Sequence, residues 1–160
     1  KLNNFHTISS GQIKNSYYEV LPDIEIFIDQ RNCLVIKSPK ISNHIIFTND
    51  TAQLISEHQF EWLGRFDTII NSGGIKLHPE SIEEKLSRIL TTRFFVAGIP
   101  DSKLGEKLIL VVEGTFQEIN ISQVHLSKFE IPKEIYFVNE FVQTATKKIA
   151  RKKTLALLSI

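Results

Sequence analysis

The sequence has 160 residues, 42% of them apolar, enough for a real core at a length where one large domain and two small ones are both open. Lys and Arg number 19 against 18 Asp and Glu, so no global field attracts nucleic acid or an anionic membrane, and any basic function is local. Cys33 is the sole cysteine, which excludes an internal disulfide and fits a reducing, cytoplasmic setting, while no run approaches the roughly 20 apolar residues that cross a bilayer.

Residues 1–10 lack the apolar core of a signal peptide. The chain has no methionine, from which we expect it to be a piece of something longer. Short apolar or alternating runs follow, and residues 17–21, 24–28, 33–37, 44–48 and 60–63 are predicted as strands of a small antiparallel assembly. Turns are expected at Pro22-Asp23, residues 29–32, Pro39 and Asn49-Asp50.

After Gly64 the texture changes. Pro79 suits the first position of a helix, Glu80 and Glu83 suit the positive end of its dipole, and Ile82, Leu86, Ile89 and Leu90 form one apolar face. Residues 94–99, 108–113 and 134–138 read as strands and residues 122–128 as a short helix, so the second half is α+β. The boundary is placed at 64/65, with a β-rich piece over 1–64 and an α+β domain over 65–160.

The densest stretch is Leu63-Gly64-Arg65-Phe66-Asp67-Thr68-Ile69-Ile70-Asn71-Ser72-Gly73-Gly74-Ile75-Lys76-Leu77-His78-Pro79-Glu80. Its glycines permit positive φ or close approach of a ligand to the backbone, although Gly73-Gly74 alone reads most simply as a hairpin turn. The five histidines are not at ligand spacing, so no protein-bound transition metal is expected, and His78 reads as an exposed residue before the helix. The eleven phenylalanines read as core.

Taken whole, the stretch resembles the hinge motif of the acyl-adenylate-forming superfamily. Four further strings fall in that superfamily's order over about 100 residues. Thr48-Asn49-Asp50 resembles its ribose motif, Gly98-Ile99-Pro100-Asp101 and Leu104-Gly105-Glu106 resemble the small-domain turn, and Thr144-Ala145-Thr146-Lys147-Lys148-Ile149-Ala150-Arg151 resembles its last motif. Trp62-Leu63-Gly64-Arg65 with Ile70-Asn71-Ser72-Gly73-Gly74-Ile75-Lys76 looks most like the o-succinylbenzoate–CoA ligases of menaquinone biosynthesis.

The resemblance implies a fold, in which the β-rich piece ends a large AMP-binding domain and the α+β piece is a lid hinged at 65–67. It implies roles as well. Asp50 would accept hydrogen bonds from the ribose hydroxyls of ATP, or else cap a turn. Arg65 would contact ribose and phosphate, or else pair with Asp67, which matches the hinge residue. Lys148 would meet the carboxylate and α-phosphate oxygens during adenylation, where a mobile ammonium can follow developing charge, or else belong to a solvated basic tail with Lys147, Arg151, Lys152 and Lys153. Gly74 and Lys76 would line the path of the CoA thiol.

Two departures stand out. Asn49 replaces a glycine, a swap a left-handed backbone would tolerate, and Lys147 replaces the glycine before Lys148. The implied activity is ATP-dependent joining of a small carboxylic acid to CoA, with Mg2+ held mainly by a large domain these residues do not contain. The fragment alone is therefore expected to be inactive. Other acyl- or aryl-CoA ligases, carrier-protein adenylation domains and a stand-alone module derived from the lid are the alternatives. Nucleic acid is not an expected partner, since the basic cluster lacks stacking aromatics, and apolar surface left bare by a missing domain would favour self-association.

Overall fold

A computed structural model describes residues 17–40 and 43–158; the stretch read for a signal peptide lies outside them. The chain divides into two units, Lys1–Thr68 and Ile69–Ile160.

The described residues of the first unit form one antiparallel sheet. Its strands are β1 (Tyr18–Glu19), β2 (Glu25–Ile28), β3 (Cys33–Lys37), β4 (Ile46–Ser56) and β5 (Gln59–Arg65), in the order β1-β5-β4-β3-β2. Ile26, Leu34, Ile36, Ala52 and Phe60 form its buried cluster, with Tyr18 stacked on Phe60 at 5.3 Å between ring centroids. β3 opens with the apolar run Cys-Leu-Val-Ile, all four buried, and ends at exposed Lys37, as expected of a central strand.

β4 differs from expectation. Asn49-Asp50 is not a turn; the strand runs straight through it, pairing Asp50 with Arg65 and Thr51 with Gly64, and the chain reverses at Glu57-His58 instead. Cross-strand bonds outweigh the turn propensity of an Asn-Asp pair, and buried Thr51 adds a hydroxyl bond to the Gly64 carbonyl at 2.8 Å. The pairing register shifts between Thr51 and Ala52, so β5 contributes one extra residue there, the mark of a bulge.

The second unit is built on a hairpin, β8 (Phe94–Asp101) against β9 (Gly105–Glu113). The other edge of β9 is shared. β10 (Glu134–Val138) runs parallel to it from Ile109 to Glu113, and β6 (Ile70–Ser72) meets it at Gly105, carrying β7 (Ile75–Leu77) beyond.

Leu108, Ile109, Leu110, Val111 and Val112 are all buried, because β9 is covered on both faces. Residues 96, 108, 110 and 112 join Ile70, Leu77 and the helix residues Ile82 and Leu86. Residues 95, 97, 109 and 111 join Val138 and Phe141, with Ile149 and Leu155 packed alongside. The period of two sends α1 (Pro79–Leu86) to one face and the carboxy-terminal segment to the other.

Pro79 stands in the first turn of α1, as predicted, with Glu80 beside it. Glu83 does not serve the dipole; its carboxylate is used elsewhere. The helix ends at Leu86, but a following turn, with Leu90 N–H donating to the Leu86 carbonyl at 3.0 Å, keeps Leu90 in the apolar face. Residues 122–128 do not form the expected helix. Only a 3-10 turn, Ile121–Gln123, appears, where the Asn120 side chain accepts from Ser122 N–H, a local bond that competes with helix formation. A short helix absent from the sequence reading, α2 (Arg151–Leu155), closes the unit.

Candidate functional site

Three of the predicted residues come together in the first unit. The hairpin register sets Asp50 opposite Arg65, with Arg65 Nη1 3.9 Å from Asp50 Oδ1 and its Nε 3.0 Å from Asp67 Oδ1. The ion pair weighed for Arg65 therefore exists, and it ties the proposed hinge residue to the end of β5. All three side chains are at least one-third exposed, so the pairs contribute little stability and their groups stay available to a ligand.

Two neighbours of this group were missed. Trp62 Nε1 donates to Asp50 Oδ1 at 3.3 Å. Arg31 Nη1 donates to Asn49 Oδ1 at 3.0 Å, its Nη2 donates to the Thr48 carbonyl at 3.1 Å, and its guanidinium lies 5.4 Å from the Phe66 ring centroid. Arg31 thus braces the strand on which Asp50 sits. Asn49 lies in extended β4 and is not among the described positive-φ residues. Its left-handed tolerance is unused there; its side chain serves Arg31 instead.

Gly73 and Gly74 have φ of 60 and 80 and form the two-residue turn between β6 and β7, the geometry that demands positive φ at both positions. A Cβ on Gly74 would meet nothing within 4 Å, whereas one on Gly73 would press on Leu104 Cδ2 at 3.3 Å. Gly73 N–H donates to the Leu104 carbonyl at 2.8 Å and Asn71 N–H to Glu106 Oε2 at 2.8 Å, so the two glycine-containing strings brace each other. Lys76 is exposed on β7. Asp101 ends β8 and accepts from Lys103 and Leu104 N–H, both at 2.9 Å, which holds its carboxyl below the ordinary range.

Lys148 sits on a tight, exposed turn. Thr144 N–H donates to the Lys148 carbonyl at 2.8 Å, Lys147 N–H to the Thr144 carbonyl at 2.9 Å, and Lys148 N–H to Thr144 Oγ1 at 3.1 Å. Lys147 has φ of 59, a left-handed backbone that glycine would adopt without strain. Both ends of the turn are moored in the core of the unit. Phe141 is buried and its N–H donates to Glu113 Oε1 at 2.7 Å. Downstream, Ala150 N–H donates to the Val142 carbonyl at 2.8 Å and buried Thr154 accepts from Val142 N–H at 3.2 Å.

Glu83 Oε1 accepts from Val96 N–H at 2.9 Å and its Oε2 from Arg151 Nη2 at 2.8 Å. Burial pushes this carboxyl above the ordinary range, against the pull of Arg151 and of the Val96 N–H. His78 is half-buried, not exposed as expected, and burial holds its imidazole below its usual value. Among the described residues no group of three or more His, Cys, Asp or Glu could hold a metal ion.

No protein-family model matches the chain. Among curated proteins it is 32% identical over 111 residues to the 2-succinylbenzoate–CoA ligase of Enterococcus faecalis, covering 65% of this chain and 23% of that protein. The chain matches the carboxy-terminal part of AMP-forming acid–CoA ligases. Over 97 residues, 56% of this chain and 18% of that protein, it is 34% identical to the oxalate–CoA ligase of Saccharomyces cerevisiae.

Among solved structures, an acyl-CoA synthetase (AMP-forming)/AMP-acid ligase II-like protein from Dyadobacter fermentans is 34% identical, with a TM-score of 0.56 over 89% of this chain and 44% of that one. The o-succinylbenzoate–CoA synthetase of Bacillus subtilis, solved with ATP and magnesium, shares the fold at a TM-score of 0.72 and 18% identity, over 92% of this chain and 37% of that one. The chain spans about a fifth to a quarter of the length of the curated ligases it matches. The α+β reading with an antiparallel β-rich first part agrees with these folds.

Proposed function

We propose that the chain is the ribose-contacting edge, hinge and lid of an ATP-dependent acid–CoA ligase, and that its acid is o-succinylbenzoate. The observation that carries this reading is Lys148 on an exposed turn moored at both ends, in a chain 32% identical to a 2-succinylbenzoate–CoA ligase. In the first half-reaction a carboxylate oxygen attacks the α-phosphorus of ATP and pyrophosphate leaves. Negative charge builds on the phosphoryl oxygens, and the Lys148 ammonium, carried on a short turn, stabilises it.

Asp50 accepts from the ribose hydroxyls, since a carboxylate takes two neighbouring donors at once. Arg65 offers its fork of N–H donors to the ribose and phosphate oxygens. Rotation about Asp67 then replaces the Lys148 turn with the β6–β7 hairpin, where Gly74 leaves room for the thiol arm of CoA and Lys76 meets its anionic groups. The thiol sulfur attacks the acyl carbon, and AMP departs to leave the thioester. Magnesium supplies charge neutralisation at the phosphates and would be held by the part of the ligase outside this chain.

The test uses a ligase that carries this chain as its carboxy-terminal part. Lys148→Ala is expected to slow pyrophosphate release on the order of 100- to 1,000-fold, and the 160-residue chain alone is expected to release none; unchanged release in the variant removes Lys148 from the chemistry. Identity of 34% to an oxalate–CoA ligase favours a second reading for the acid. Comparing kcat/KM for o-succinylbenzoate and oxalate decides between them.

A further inference from the structure

Lys148 owes its placement to a segment with little structure of its own. Around it the strand pairing amounts to one isolated bridge, Gln143 to Ile149, and the helix that follows has five residues, too few to be stable by itself. Discrete anchors must therefore set where the ammonium points. The Phe141 and Thr154 anchors hold the segment onto its own face of the sheet. The Arg151 anchor is of another kind, because it reaches Glu83 on α1, whose neighbours Ile82 and Leu86 are buried in the opposite core.

Glu83 is well built as a fixed point. One carboxylate oxygen is held by the backbone of β8 and the other faces Arg151, whose guanidinium carbon also lies 5.6 Å from the Phe95 ring centroid. The carboxylate side chain is 18% exposed and that of Arg151 34%, so this pair is screened far less than an ordinary surface pair. A planar guanidinium fixed by a carboxylate and an aromatic ring constrains rotation as well as distance. Arg151 lies three residues from Lys148, close enough to pass that constraint to the turn.

We propose that Glu83 is a positioning residue for adenylation, setting the orientation of Lys148 through Arg151 while touching no substrate. This rests on the reading of Lys148 given above. It further predicts that Glu83 matters only in the half-reaction that uses Lys148.

In the full ligase, Glu83→Gln keeps an oxygen for the Val96 N–H and weakens the hold on Arg151. Acyl-adenylate formation is expected to fall on the order of tenfold. Thioester formation from supplied acyl-adenylate should stay within about twofold. The double variant Glu83→Gln/Lys148→Ala should be no slower in adenylation than Lys148→Ala alone, since a positioning residue has nothing left to position. Equal losses in both half-reactions, or effects that multiply in the double variant, overturn the proposal.

Arg151→Lys keeps the cation but loses the fork, and should show the same split at smaller size. Should Glu83→Gln lose amide-exchange protection in β8 and β9, Arg151→Lys decides, and no split there overturns the proposal. Full-rate adenylation by Lys148→Ala instead sinks the Lys148 reading itself, a result that separates the two failures.

Discussion

The first unit leaves part of one face of its sheet open around the buried centre of β3, whereas the second buries β9 from both sides. Phe27 and Phe47, on the strands flanking β3, are 47% and 68% exposed, while no residue from Leu108 to Val112 exceeds 1%. The difference separates two ways of holding a functional side chain. Asp50, Arg65 and Asp67 hold one another at an exposed strand end. The Lys148 turn is held by buried groups at each side of it. Pairwise surface contacts are weak and adaptable, which suits ligand contacts and a hinge, whereas a moored turn suits a charge that must arrive in one place.

The sharpest way to break that contrast is to cut the two sheets. Phe95 is fully buried and packs on Phe141 at 5.2 Å between centroids, so Phe95→Ala is expected to lose about 3–5 kcal/mol in urea unfolding. Phe47→Ala on the open face should change stability by less than about 0.5 kcal/mol. Similar losses at the two sites would show that the open face is covered in solution.

A smaller effect is expected at the left-handed residues. Among the described non-glycine residues, the first unit places Asp23 and Asn32 at positive φ and the second Lys147. Asp and Asn adopt that backbone at lower cost than lysine, so Lys147→Gly should stabilise by up to about 1 kcal/mol and Lys147→Val should destabilise. Asn32→Gly should gain less than Lys147→Gly, again by urea unfolding. A loss in Lys147→Gly would mean that the lysine side chain supports the turn.

The smallest expected effect is in pH dependence. Burial depresses the pKa of His78, so the unfolded chain binds the proton more readily than the folded one. The contribution of His78 to stability should therefore shrink as pH falls through the ordinary histidine value, about 6.5, toward the depressed one. Thermal unfolding between pH 7 and pH 5 should show a shallower loss in His78→Gln than in the parent. The same slope in both would place the titration elsewhere.

Legibility followed the range of the interaction. The β9 run, the Pro79 start of α1 and the Gly73-Gly74 turn rest on neighbours in sequence, and all three were readable. Asn49-Asp50 was misread because its strand is decided by partners across the hairpin. Arg31 was missed since its target lies 18 residues on, and Glu83 because Arg151 is 68 residues away. No spacing rule encodes such pairs. The helix expected over 122–128 failed for the opposite reason, a side-chain bond at Asn120 too local for an apolar count to register.

The moorings of the Lys148 turn also set a time order. They join Phe141 to Glu113 and Arg151 to Glu83, closures of 28 and 68 residues, and contacts so distant in sequence form late in folding because the entropy of closing the loop must be met first. The β8–β9 hairpin, by contrast, closes over a short turn. A chain emerging from synthesis would therefore complete its hairpin well before the lysine finds its place, and the reactive geometry would appear only once the unit around it has finished folding.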